Sequence, residues 1–175
     1  MQLDDALSLI REIPDFPLPG ILFKDITPLL GDAQALSLVT NSLIGDPSAF
    51  THIVGIEARG FILASAMAAR AEKGFIPLRK PGKLPHATIS KSYGLEYGSD
   101  ALEAHIDSIA PGCKIIIVDD VLATGGTLIA AIEIAHDLGA EIVEVVVLFE
   151  INALQGRQRI LEKYPNISVR AVVTD

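Results

Sequence analysis

The sequence predicts an α/β protein built on a doubly wound, mainly parallel sheet. Strand patterns alternate with helix patterns from residue 52 onward, and that alternation gives a parallel sheet with right-handed crossovers. Within it, Ile115 to Val118 is a short, wholly β-branched run, as in a strand covered on both faces. The 175 residues, half of them apolar, are enough for one domain with a real core, and no second domain is needed. There is no internal repeat and no low-complexity tract.

Taken in order, residues 2–13 place Leu3, Ala6, Leu7, Ile10 and Ile13 at helical spacing, and Pro14 stops the pattern. Residues 15–28 carry three prolines and a glycine among apolar side chains, so an ordered but irregular segment is expected. In it Phe16, Leu22 and Phe23 are candidates for core or for the wall of a pocket. Residues 32–44 read as a helix with Asp32 as N-cap. A strand over 52–56 leads through the turn Glu57-Ala58-Arg59-Gly60 into a small-residue helix over 61–73, which Gly74 is expected to close. Residues 75–79 form the next strand. The stretch 80–98, with Pro81, Gly82, Pro85, Gly94 and Gly98, reads as a long loop of the kind that serves as a lid. Residues 100–109 are expected as a short helix or an irregular return, and Pro111-Gly112 turns the chain into the central strand. A helix over 128–138 ended by Gly139, a strand over 142–149, a helix over 153–164 and a strand over 167–173 complete the pattern.

Composition narrows the partners. Fourteen basic against 22 acidic residues leave a net charge of −8, which argues against nucleic acid or an anionic membrane surface as a bulk partner. The positive charge is instead local: Arg59, Arg70, Lys73, Arg79, Lys80, Lys83 and Lys91 fall within residues 57–91, against Glu57 and Glu72 alone. Cys113 is the only cysteine, which rules out an intrachain disulfide and a cysteine-rich metal site. The four histidines are isolated in sequence and read as structural or solvated. The amino terminus is acidic and lacks the basic region of a secretory signal, and no apolar run reaches the ~20 residues of a membrane span. A cytoplasmic protein is therefore expected.

The chemistry concentrates on residues 113–127. A buried strand ends in Asp119 and Asp120, at the carboxyl end where open α/β sheets place their ligands. Ala123-Thr124-Gly125-Gly126-Thr127 then offers backbone N–H groups, two hydroxyls and a helix N-terminus to an anion. Carboxylates suited to vicinal hydroxyls beside a phosphate loop describe a site for a phosphorylated sugar. The plainer alternative is a strand-turn-helix whose glycines only ease a tight turn. This segment resembles the phosphoribosyl pyrophosphate (PRPP) signature of the type I phosphoribosyltransferases. A second turn, Gly55 to Phe61, resembles the pyrophosphate loop of the same family. There Gly60 opens a helix N-terminus and Arg59 offers a planar five-donor fork, both suited to a diphosphate. The resemblance also implies a non-proline cis peptide between Glu57 and Ala58.

Residues 77–85 and Leu95-Glu96-Tyr97-Gly98, together with 19–28 and 150–157, are similar to the adenine phosphoribosyltransferases over most of the chain. The implied architecture adds a small N-terminal hood (residues 1–30) and a flexible lid loop (residues 80–100) to the doubly wound sheet. The implied reaction joins adenine to PRPP, giving AMP and pyrophosphate with Mg²⁺. In this reading Asp119 and Asp120 orient the ribose hydroxyls and meet the metal only through water. Ala123, Thr124, Gly125, Gly126 and Thr127 hold the 5′-phosphate, while Glu57, Ala58, Arg59, Arg79, Lys80 and Lys83 surround the pyrophosphate. Glu96 exchanges a proton with the purine, Tyr97 closes the site, and Arg59 completes the catalytic set. Leu22, Phe23, Lys24 and Ile151 hold the base. The lid tip 86–92 matches no pattern, although Lys91 there is a further candidate for the pyrophosphate. A homodimer is the expected assembly. The alternatives are a phosphoribosyltransferase for another purine, which a panel of bases would reveal, and a non-catalytic PRPP-sensing regulator, which would bind PRPP without turnover of any base. A third, a generic α/β phosphate binder, leaves the second anion turn and the basic cluster without a role.

Overall fold

The computed structural model describes residues 1–94 and 99–175, residue 99 by its backbone only. The chain divides into two compact units, Met1–Gly45 and Asp46–Asp175.

In the first unit a short helix α1 (Leu3–Leu7) precedes an antiparallel hairpin of β1 (Arg11–Pro14) and β2 (Leu22–Asp25). The expected helix over 2–13 is thus corrected: it ends at Leu7. Ile13 stands opposite Phe23 in the strand register, and a cross-strand partner outweighs a spacing that also fitted a helix. Part of the expected irregular segment is likewise regular, as β2 and as helix α2 (Thr27–Gly31) with Pro28 in its first turn, where a missing N–H costs nothing. Asp32 caps helix α3 (Ala33–Ile44) as expected, its side chain accepting from the N–H of Gln34 and Ala35 at 2.9 Å each.

The second unit is built on a five-stranded, wholly parallel sheet of β3 (His52–Ile56), β4 (Gly74–Leu78), β7 (Lys114–Leu122), β8 (Glu141–Glu150) and β9 (Ser168–Thr174). Its order is β4-β3-β7-β8-β9. Three helices make the crossovers: α4 (Arg59–Ala71), α5 (Gly126–Asp137) and α6 (Gly156–Lys163). Ile115 and Ile117 point to the face covered by α5, in one core with Val54, Ile56, Val145, Val147 and Ile160. Ile116 and Val118 are equally buried and alternate to the other face, which α4 covers against β3 and β7. A strand buried on both sides must be apolar without interruption, which is why the 115–118 run predicted it.

Two local expectations change. Gly74 does not close α4; Glu72 does so in the left-handed conformation, φ 54°. Gly74 is instead the first residue of β4, where a Cβ would collide with the His52 ring. Residues 88–105 contain an antiparallel hairpin, β5 (Thr88–Gly94) and β6 (Ser99–His105), so residues 88–94 of the loop expected over 80–98 are a strand, and a strand also replaces the helix or irregular return expected after residue 100. Leu102 and Ala104 are buried while Ala101, Glu103 and His105 are less so, an alternation of two that marks a strand. Tyr93, Leu102 and Ala104 join the α5 core, so packing on that helix fixes the hairpin.

Candidate active site

In strand order, β3 and β7 are neighbours, yet the chain leaves them in opposite directions: β3 continues outward to β4, and β7 outward to β8. The loops after these two strands therefore diverge and leave a crevice at the carboxyl end of the sheet, the topological switch point where α/β proteins bind ligands. The turn 57–60 and the loop 123–127 are those two loops.

Asp119 and Asp120 lie near the carboxyl end of β7, which runs past them to Leu122. Asp120 is buried, and its Oδ2 lies 2.8 Å from Arg59 Nε. Burial, and then the neighbouring charge of Asp120, push the Asp119 carboxyl well above the usual range. Burial also raises Asp120, against the lowering effect of the Arg59 guanidinium. Two adjacent carboxylates, one of them buried against the single Arg59 cation, hold a proton more readily than either would in water. Gly60, at the start of α4, is what lets the turn after β3 approach the end of β7: a Cβ there would stand 2.9 Å from Asp119 Oδ1 and 3.0 Å from the Val118 carbonyl.

The peptide between Glu57 and Ala58 is cis, as the resemblance implied. Glu57 organises the cations around it. Its carboxylate takes Arg79 Nε at 3.2 Å and a second guanidinium nitrogen at 3.3 Å, and accepts from the Lys80 N–H at 2.9 Å. Burial alone would raise this carboxyl, but the Lys80 N–H, the Arg79 fork and the charges of Arg79 and Lys83 outweigh it and hold it below the usual range. Arg79 also donates to the Lys83 carbonyl at 3.1 Å, while Lys83 itself is exposed. Lys80 reaches the Tyr93 hydroxyl at 2.6 Å and pairs with Asp100. Tyr93 and Asp100 face each other across the β5–β6 hairpin.

The loop after β7 carries no charged side chain. Gly125 adopts φ 82°, a left-handed conformation suited to glycine, and caps α5. Residues 121–128 line a small cavity of about 60 Å³. In the first unit, Phe23 packs edge-to-face on Phe16, ring centroids 5.1 Å apart, Leu22 is exposed, and Lys24 pairs with Glu12. Ile151 is half-buried just beyond β8, its N–H donating to the Leu122 carbonyl at 2.9 Å. Glu96 and Tyr97 lie outside the described residues. Lys91 pairs with Asp137 at 2.7 Å in the last turn of α5, at the opposite end of that helix from the glycine loop. The structure thus gives no support to its candidacy for the pyrophosphate.

Comparison with known proteins identifies the family of the fold. The model of the phosphoribosyl transferase domain family matches residues 33–172. The adenine phosphoribosyltransferase of Halothermothrix orenii is 54% identical over 159 residues, 90% of this chain and 93% of that protein. The chain belongs to the adenine phosphoribosyltransferase family. Among solved members, the Rhodothermus marinus enzyme superposes with a TM-score of 0.91 at 45% identity, covering 99% of this chain and 98% of the other. The Giardia lamblia enzyme, solved in complex with 9-deazaadenine, gives 0.92 at 38% identity, covering 100% and 98%.

Within this phosphoribosyltransferase fold, several residues around the site make contacts to which the sequence assigned no role. Tyr93 and Asp100 hold Lys80, and Asp100 is kept below the usual carboxylate range chiefly by that ammonium. Glu150 is 3% exposed and accepts from Arg157 Nε at 2.9 and 3.1 Å. Gly156 and Arg159 touch the glycine loop. Glu150 and Gly156 fall in the stretch 150–157 that carries the family resemblance, but the contacts of all five have no local signal, because each acts on a residue 7 to 35 positions away.

Proposed function

We infer that this chain transfers the 5-phosphoribosyl group of PRPP to adenine, forming AMP and releasing pyrophosphate. The observation that supports it most is the switch-point crevice, where two adjacent acids stand between a cationic turn and an uncharged phosphate loop. In the reaction the bond from the anomeric carbon to the pyrophosphate oxygen breaks, the bond to purine N9 forms, and N9 loses its proton. Positive charge grows on the ribosyl ring as the leaving group departs. A dry site with fixed carboxylates and cations lowers that barrier by holding the reacting atoms in line and stabilising both charges.

In this reading Asp119 and Asp120 orient the ribose hydroxyls. Ala123 to Thr127 receive the 5′-phosphate, and Arg59, Arg79, Lys80 and Lys83, with the Glu57–Ala58 turn, receive the pyrophosphate. Leu22, Phe23, Lys24 and Ile151 contact the base, Phe23 by stacking and its neighbours through backbone groups. Glu96 takes the base's proton and Tyr97 covers it. Residues 1–30 serve the base and residues 80–100 the closure of the site. The adjacent carboxylates are hard oxygen donors of the kind Mg²⁺ uses beside substrate phosphates while keeping several waters, so they fit that ion. Asp119 and Asp120 would hold Mg²⁺ through water, and the ion would supply positive charge to offset the negative charge of the diphosphate. A cytoplasmic homodimer is the proposed working form; among the described residues no helix is long and apolar enough to cross a membrane.

Incubation with PRPP and Mg²⁺ against adenine, hypoxanthine, guanine and xanthine tests the reading. AMP formed faster than any other nucleotide is expected. Preference for another base would reassign the substrate, and binding of PRPP without any turnover would point to the regulator.

A further inference from the structure

Backbone N–H groups converge on an anion only when the carbonyls of the same peptides point elsewhere and are satisfied there. Arg159 does this for the Thr124–Gly125 peptide of the glycine loop, and Gly156 packs directly against the same loop. Arg159 donates to the Thr124 carbonyl at 3.0 Å. Gly156 opens α6 directly against the loop: a Cβ on it would collide with the Ala123 carbonyl, and a Cβ on Gly125 would stand 2.8 Å from the Gly156 carbonyl. The segment is itself fixed, because Arg157 clamps buried Glu150 and also reaches the Val169 carbonyl.

We infer that Arg159 is a positioning residue for the phosphate loop, which it orients through the Thr124 carbonyl without touching substrate. In a trans peptide the C=O and the following N–H point in opposite directions. Fixing the Thr124 oxygen therefore also fixes the direction of the Gly125 N–H, one of the donors offered to the phosphate. A guanidinium is suited to the task, being always charged and rigid. The inference rests on the reading of residues 123–127 as the 5′-phosphate cradle and adds a residue from a different crossover to it.

Arg159→Met keeps the aliphatic stem and removes the donors. It is expected to raise the KM for PRPP and the Kd for ribose 5-phosphate about three- to tenfold. The Kd for pyrophosphate, the KM for adenine and kcat should stay unchanged, and Arg159→Lys should recover most of the loss. Thr127→Val, which alters the loop itself, separates the two levels of the reading. If Thr127→Val weakens ribose 5-phosphate and Arg159→Met does not, the positioning role is wrong and the cradle stands. If neither variant weakens it, the cradle reading has failed and the inference with it. A loss of pyrophosphate and ribose 5-phosphate binding in equal measure in Arg159→Met would also overturn the inference, since it would indicate general damage.

Discussion

The two loops that leave β3 and β7 flank one crevice but are built from different materials. The turn 57–60 works through charged side chains, with Arg59 on Asp120 and Glu57 on Arg79 and the Lys80 N–H. The loop 123–127 works through backbone, held from behind by Gly156 and Arg159. Charge held on long side chains can be re-partnered when an anion arrives or departs, as a leaving group requires. Backbone geometry is fixed once and suits a phosphate that stays attached throughout. The first loop should therefore fail when charge is removed, and the second when shape is changed.

The largest expected effect is a change of shape. Gly156→Val places a side chain where the Ala123 carbonyl already lies, so the loop must move; kcat/KM for PRPP should fall by about 100-fold or more, with a lowered melting temperature. Retained PRPP kinetics would mean the loop tolerates displacement and is not a shape-defined site. Next in size, Asp119→Asn combined with Asp120→Asn should reduce kcat/KM for PRPP about 100-fold while the fold survives. The Asp119 carboxyl is raised on folding, so the folded state favours its proton and the group's contribution to stability declines as pH rises through its folded value. Asn at that position should therefore cost no stability at neutral pH, as a thermal melt will show.

Smaller is the removal of the organising charge. Glu57→Gln should weaken pyrophosphate binding about tenfold, measured by calorimetry, through loss of the grip on Arg79. Here the sign of the pH dependence is opposite to that of Asp119. Glu57 is lowered on folding, so its stabilising contribution is present above the ordinary carboxylate range and is lost as pH falls through its lower folded value. The difference in melting temperature between wild type and Glu57→Gln should close at acid pH; a gap that persists there would assign the effect to packing. Phe23→Ala should raise the KM for adenine about tenfold and that for PRPP far less; equal losses would remove Phe23 from the base site. Least of all, Lys91→Ala breaks only an exposed pair with Asp137, and pyrophosphate affinity should be unaffected.

Much of this architecture was legible locally. The 115–118 run announced a central strand, Asp32 a helix start, and the small residues 123–127 a turn into a helix; each is a signal carried by neighbours in sequence. The misread segments share a cause. Residues 11–13 and 100–105 take their conformation from strands opposite them, Ile13 from Phe23 and Asp100 from Tyr93, and a short apolar pattern cannot say whether such a partner exists.

By itself the sequence determined the chemistry available at residues 57–60 and 119–127, because acids, glycines and hydroxyls at fixed spacing can be read without coordinates. It could not determine that β3 and β7 lie side by side, since strand order depends on which apolar faces pack together across the whole sheet. Only the tertiary structure set Arg59 on Asp120, brought Glu57 to Arg79, and placed Gly156 and Arg159 against the glycine loop. Those contacts join residues far apart in the chain, and their geometry comes from the packing of the crossovers that carry them.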